Sequence, residues 1–153
     1  MDELAQLRHV LGTSSDADNP SAEAIAQLLD DVQHIAVVGL SRNLEKEARR
    51  VPSYLAAKGY DVIPVNPYAE RLLGRVSYSD LASIPDTVDL VLIFRPSEEA
   101  GSFVEAAMAR AEQPAIWLQT GIQSPAAVEV ARRDGRVVVQ DLCIFRVHRT
   151  LLD

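Results

Sequence analysis

The chain has 153 residues and a formal net charge of −7, with 48% hydrophobic and 24% charged residues. That length fits one domain, and the composition excludes global disorder. The acidic total excludes a general nucleic-acid coat, which needs clustered Lys and Arg.

Residues 2–11 read as a short helix, and Gly12–Pro20 as a break rich in Gly, Ser, Asp and Asn. Ser21 offers an N-cap to a second helix, in which Ile25, Leu28, Leu29 and Val32 recur at helical spacing. These two helices, residues 1–33, are expected as an N-terminal arm. Residues 34–153 are expected as the main domain.

From there the pattern alternates. HIAVVGL (34–40), DVIPV (61–65), DLVLIF (89–94), AIWLQ (115–119) and RVVVQ (136–140) are short apolar runs. They suit strands buried on both faces of a parallel sheet. Helical patterns separate them at 47–58, 97–111 and 124–134, and a last helix is expected over 144–151. Ser97 and Ser124 stand where N-caps belong, and Gly59 and Gly135 where C-caps belong. The interval 66–87 holds a weaker element around Val76 and a short helical turn near Ser79–Ser83. The expected fold is therefore α/β: a Rossmann-like, doubly wound, mainly parallel five-stranded sheet with right-handed crossovers and helices on both faces. Pro52 is out of place inside the 47–58 helix. Either the regular helix starts near residues 49–51, leaving 41–48 as a loop, or it kinks.

Charge is uneven. Residues 1–31 carry net −6, the remaining 122 residues net −1, and residues 41–75 within them net +3. Local charge decides ligand attraction more than the total does. No apolar run approaches the ~18 residues of a membrane span. No secretory signal opens the chain. The single cysteine, Cys143, excludes an internal disulfide framework. These features lead to the expectation of a cytoplasmic protein with no membrane and no nucleic-acid partner.

Ligands of open parallel sheets sit beyond the carboxyl ends of the strands. Here those ends are followed by Gly39-Leu40-Ser41-Arg42-Asn43, Asn66-Pro67-Tyr68, Arg95-Pro96-Ser97, Gln119-Thr120-Gly121-Ile122 and Asp141-Leu142-Cys143. The first loop lacks the three glycines of a dinucleotide fingerprint, and no acid follows the second strand to hold a ribose; both weigh against NAD. Ser41 and the following helix N-terminus suit a phosphate instead. No G-x-S-x-G triad order and no histidine pair at metal-ligand spacing is present. His9, His34 and His148 read as ordinary histidines, and Trp117 as a core residue.

Taken in order, V-x-G-x-S (37–41), G-Y-x-V-I-P-V-N-P (59–67), S-I-P-x-x-V-D (83–89) and W-x-Q-x-G-I (117–122) form a specific set. Over Ile35–Ile144 the chain resembles the stand-alone CoA-binding domain family, which is similar to the N-terminal domain of the succinyl-CoA ligase α subunit. The resemblance implies binding of coenzyme A or acyl-CoA. It implies Gly39, Ser41 and Arg42 at the phosphates, and Asn66, Pro67 and Tyr68 beside the nucleotide. It implies Phe94, Arg95, Pro96 and Ser97 in the adenine region, and Gln119, Thr120 and Gly121 near the pantetheine path. Members commonly carry a serine where this chain has Ala48, with Arg49 or Arg50 as the compensating group. Arg71 is a further candidate for the charged ends of the ligand, and Cys143 for a thiol near that of CoA, against its reading as a small buried hydrophobe.

The leading expectation is a CoA or acyl-CoA binder without catalysis of its own. A CoA-dependent subunit needing a ligase or transferase partner is the second, and an NADP- or other nucleotide-binding regulatory module the third. The chain ends soon after the first domain of a ligase, so ligase chemistry within it is not expected. A homodimer is also open, because the N-terminal helices must bury Ile25, Leu28 and Leu29 somewhere.

Overall fold

The computed structural model describes residues 2–41, 43 and 45–152. Two helices open the chain, α1 (Glu3–Leu11) and α2 (Ala22–Asp31). Asp2 caps the first through the Ala5 N–H at 2.8 Å, and Ser21 caps the second through the Ala24 N–H at 3.1 Å. There follow β1 (His34–Val38), α3 (Glu47–Ala57), β2 (Asp61–Val65), β3 (Arg71–Leu72), β4 (Arg75–Val76) and β5 (Leu90–Ile93). The chain continues through α4 (Ser97–Met108), β6 (Ala115–Leu118), α5 (Pro125–Arg133), β7 (Val138–Val139) and α6 (Ile144–Leu152).

Five strands form one parallel sheet in the order β2-β1-β5-β6-β7. Sequence order therefore reverses between β1 and β5. The weak element at Val76 is half of a two-stranded ribbon, β3 with β4, turned by Leu73 and Gly74, both at positive φ.

Alternate side chains of each buried strand point to opposite faces, and each face is covered. Ile35, Val37, Leu90, Leu92 and Trp117 share one core with Val51 and Leu55 of α3, Ile144 and Val147 of α6, and the N-terminal helices. Ala36, Val38, Val91, Ile93, Ile116 and Leu118 share the other with Ala100, Val104 and Ala107 of α4 and Val128 and Ala131 of α5. Trp117 is fully buried, and its indole N–H donates to the Leu142 carbonyl at 2.8 Å.

The N-terminal helices lie within the first of these cores. Leu7, Ile25 and Leu29 are buried in it and Leu28 packs against it, so these side chains do not call for a second copy. The connecting loop is clipped to the far end of the sheet. The Gln140 N–H donates to Asn19 Oδ1 at 2.8 Å, and the Gln140 carbonyl accepts from Ser14 Oγ at 2.8 Å. Gln140 Nε2 donates to Asp16, while its Oε1 accepts the Ser124 N–H at 2.7 Å. A buried glutamine is thus fully partnered, as burial demands.

One local expectation is settled and two change. α3 begins at Glu47, as the 47–58 pattern has it, so of the two options for Pro52 the later start at 49–51 is not taken and the proline lies in the helix interior. The N-cap of α4 is Pro96 rather than Ser97, whose hydroxyl accepts the Gln123 N–H at 3.0 Å instead. Ser124 occupies the N-cap of α5 but makes no side-chain cap bond. Among the described residues no helix is long and apolar enough to cross a membrane.

Candidate ligand-binding site

A cleft of about 840 Å³ opens at the carboxyl ends of β1, β2 and β5, where the strand order reverses and open α/β sheets hold their ligands. Gly39, Leu40, Ser41, Asn43, Lys46 and Ala48 line one side. Asn66, Pro67, Tyr68 and Ser79 line a second, and Phe94, Arg95, Pro96, Glu99 and Phe103 a third.

Gly39 has φ +86°, and a Cβ there would stand 2.9 Å from Arg95 Cδ and 3.3 Å from the Phe94 carbonyl carbon. The glycine lets the end of β1 turn under the end of β5, so both loops face one cleft. Ser41 Oγ accepts the Asn43 N–H at 3.0 Å, which leaves the hydroxyl hydrogen to donate. Lys46, the N-cap of α3, gives no side-chain bond to the first-turn N–H groups. An uncapped helix start beside a lysine is an anion-favouring corner. Arg95 lines the opposite wall in an ion pair with Glu99 at 2.6 Å.

Of the residues singled out in the sequence, Gly39, Ser41, Asn66, Pro67, Tyr68, Phe94, Arg95 and Pro96 converge on this cleft. Arg42 lies outside the described residues. The others are placed elsewhere. Arg49 Nε donates to Ser53 Oγ at 3.4 Å, Arg50 pairs with Glu47 at 2.6 Å, and Arg71 donates to the Gly74 carbonyl at 2.8 Å. Ser97, Gln119, Thr120, Gly121 and Cys143 are not part of the cleft lining. Gln119 is buried; its Nε2 meets Cys143 Sγ at 3.1 Å and its Oε1 accepts the Ile144 N–H at 3.1 Å, which seats the start of α6 on β6. The Gly121 N–H donates to Asp141 Oδ1 at 2.6 Å, and Asp141 Oδ2 accepts from Ser15 at 2.7 and 2.9 Å. Burial would raise the Asp141 carboxyl, but the donors from Ser15 and Gly121 outweigh it and the neighbouring Asp16 charge, and hold it below the ordinary range.

Sequence reasoning missed Lys46, Ser79, Glu99 and Phe103. Glu99 and Phe103 stand four apart on α4 and share a face, so a helical projection anchored at the start of α4 would have found both. Among the described residues no group of three or more His, Cys, Asp or Glu side chains is placed to hold a metal ion.

The reversed parallel order with a polar-and-apolar cleft at the reversal defines a Rossmann-like α/β domain. A protein of Bacillus subtilis, YneT, is 35% identical over 130 residues, covering 85% of this chain and 96% of the relative. A solved structure of a protein from Pyrococcus horikoshii OT3 superposes with a TM-score of 0.84 at 33% identity, covering 92% of this chain and 98% of that one. The chain belongs to the CoA binding domain family, whose model matches residues 33–149. A shorter stretch of 66 residues is 33% identical to an ADP-forming acetate–CoA ligase of Archaeoglobus fulgidus, covering 42% of this chain and 10% of the ligase.

Proposed function

We propose that the protein binds CoA or acyl-CoA in the cleft at the β1/β5 reversal, in the cytoplasm, and carries no catalytic group of its own. The observation that carries the reading is a convergence. In a member of the CoA-binding family, Gly39, Ser41 and the uncapped start of α3 line one cleft. The pyrophosphate would take the Ser41 hydroxyl and the first N–H groups of α3, with Lys46 and Arg95 as counter-charges. Phe94, Pro96 and Phe103 form the apolar wall that an adenine ring needs.

Titration calorimetry with CoA, dephospho-CoA, NADP and ATP tests this. CoA is expected to bind more tightly than the other three. No response to CoA, or an equal response to all four, overturns the reading.

The stretch shared with acetate–CoA ligase favours a second reading, in which a separate chain supplies the nucleophile and this protein presents the CoA. Co-purification of an ATP-grasp chain, with acyl-CoA formation only when both are present, would decide for it.

A further inference from the structure

Pro52 is the sixth residue of α3 and is buried. An interior proline has no N–H to give the carbonyl four residues earlier. That carbonyl belongs to Ala48, in the first turn of α3 and on the cleft wall. It is taken by a different donor: the Ser41 N–H, at 3.0 Å.

Between them, the described residues Asn43, Glu45 and Lys46 make short-range bonds. The Asn43 N–H donates to Ser41 Oγ at 3.0 Å, the Glu45 N–H to Asn43 Oδ1 at 3.0 Å, and the Lys46 N–H to the Asn43 carbonyl at 3.1 Å. Those bonds set local turns. The Ser41–Ala48 bond differs from them, because it fastens the start of the loop to the helix beyond its end. It spends the Ser41 N–H on the protein, and it holds Ser41 at the cleft wall.

We propose that Pro52 is a positioning residue for this loop: having no N–H, it reserves the Ala48 carbonyl for Ser41 and so fixes the Ser41 hydroxyl toward the ligand. The effect on ligand rests on the CoA-binding reading; the effect on the loop does not. Any other residue at 52 would bring an N–H into the helical position for Ala48. The Ala48 carbonyl has two lone pairs, but a local helical donor would draw it toward the helix axis and away from Ser41, and it does so at no cost in loop closure. A loop released from α3 must be reordered at each binding event, and affinity falls accordingly. Pro52 touches no ligand in this account and acts through Ser41.

Amide hydrogen exchange on the unliganded protein and calorimetry with CoA test it on three chains. These are the wild type, Pro52→Ala, and Pro52→lactic acid, which has alanine's side chain but an ester oxygen in place of the N–H. In the wild type the Ser41 amide is expected to be protected. In Pro52→Ala it exchanges about tenfold faster and CoA affinity falls about tenfold, the worth of one such bond. The lactic acid variant returns both toward wild type. Amides of β1 and β5 keep their rates throughout, which separates loop release from loss of fold. An unprotected Ser41 amide in the wild type overturns the proposal. So does a Ser41 rate equal in wild type and Pro52→Ala. A lactic acid variant that behaves like Pro52→Ala also overturns it, since lost ring packing is then the cause. A wild type that takes up no CoA overturns the binding reading instead, and Ser41 exchange alone then decides the role of Pro52.

Discussion

The side-chain amide of Asn66, at the end of β2, donates to the Leu40 carbonyl, at the end of β1, at 3.0 Å. The other end of the same amide accepts the Tyr68 N–H at 2.8 Å, which fixes its orientation. Asn66 thus staples the second loop of the cleft to the first. Asn66→Ala is expected to lower stability by about 1–2 kcal/mol and to weaken CoA binding. Asn66→Asp keeps the acceptor for Tyr68 but sets a carboxylate against the Leu40 carbonyl, so it should bind CoA more weakly still. Urea unfolding with calorimetry checks both, and a ligand loss with unchanged stability in either variant would show direct contact rather than stapling.

Gly39 and Arg95 give a coupled prediction. Gly39→Ala meets two obstacles, the positive φ and the crowding by Arg95 and Phe94. The loss is expected at about 1–3 kcal/mol. The Arg95 side chain can be removed and the Phe94 backbone cannot. In the Gly39→Ala, Arg95→Ala double variant, part of the loss should return while the φ strain stays. Additive losses in the double-mutant cycle would show that the two positions do not press on one another.

The N-terminal segment answers to a third test. Because Leu7, Ile25 and Leu29 are buried with Trp117, removing residues 1–33 should yield a chain that does not fold, not a trimmed binder. Leu7→Ala, a milder change at a fully buried site, is expected to cost about 2–5 kcal/mol while leaving CoA affinity of the folded fraction unchanged. A soluble, cooperatively folded 34–153 fragment would contradict this.

These positions also mark what the sequence carries. The strand–helix alternation was legible because each strand is covered on both faces and reads as a continuous apolar run. The cleft was legible at Gly39, Ser41 and Phe94 because it must lie at the strand ends. The clip of the 12–20 loop onto Gln140 and Asp141 was not, since its partners lie 121 or more residues apart and no local pattern encodes such a pair. Asn66 was legible as a cleft residue but not as a staple, because its partner depends on how closely β1 and β2 end together. Pro52 left the helix start open between 47 and 49–51 for a related reason. Its rule assumes that the carbonyl it abandons has no other donor, and Ser41 supplies one.

Acid should unfold the protein in two windows. His148 is buried among Tyr54 and Tyr60, with a 2.8 Å hydrogen bond between the Tyr54 hydroxyl and its Nδ1. Burial, with a smaller push from Lys58, holds its pKa below the ordinary 6.5. The folded chain therefore keeps His148 neutral to lower pH than the unfolded chain does. Its contribution is full above 6.5 and is lost as pH falls from there through the lowered folded value. Asp141 and Asp16 act further down. Their carboxyls are held below 3.8 despite burial, Asp16 by Arg132 and by donors from Asp18 and Gln140. They stabilise the fold above that value, and the stabilisation is lost as pH falls through the lowered folded pKa. Denaturant midpoints followed from about pH 8 to pH 3 should fall in both windows. His148→Gln should flatten only the upper one, and Asp141→Asn should make only the lower one shallower, with Asp16 keeping the rest. An upper window unchanged by His148→Gln would assign that loss to another group.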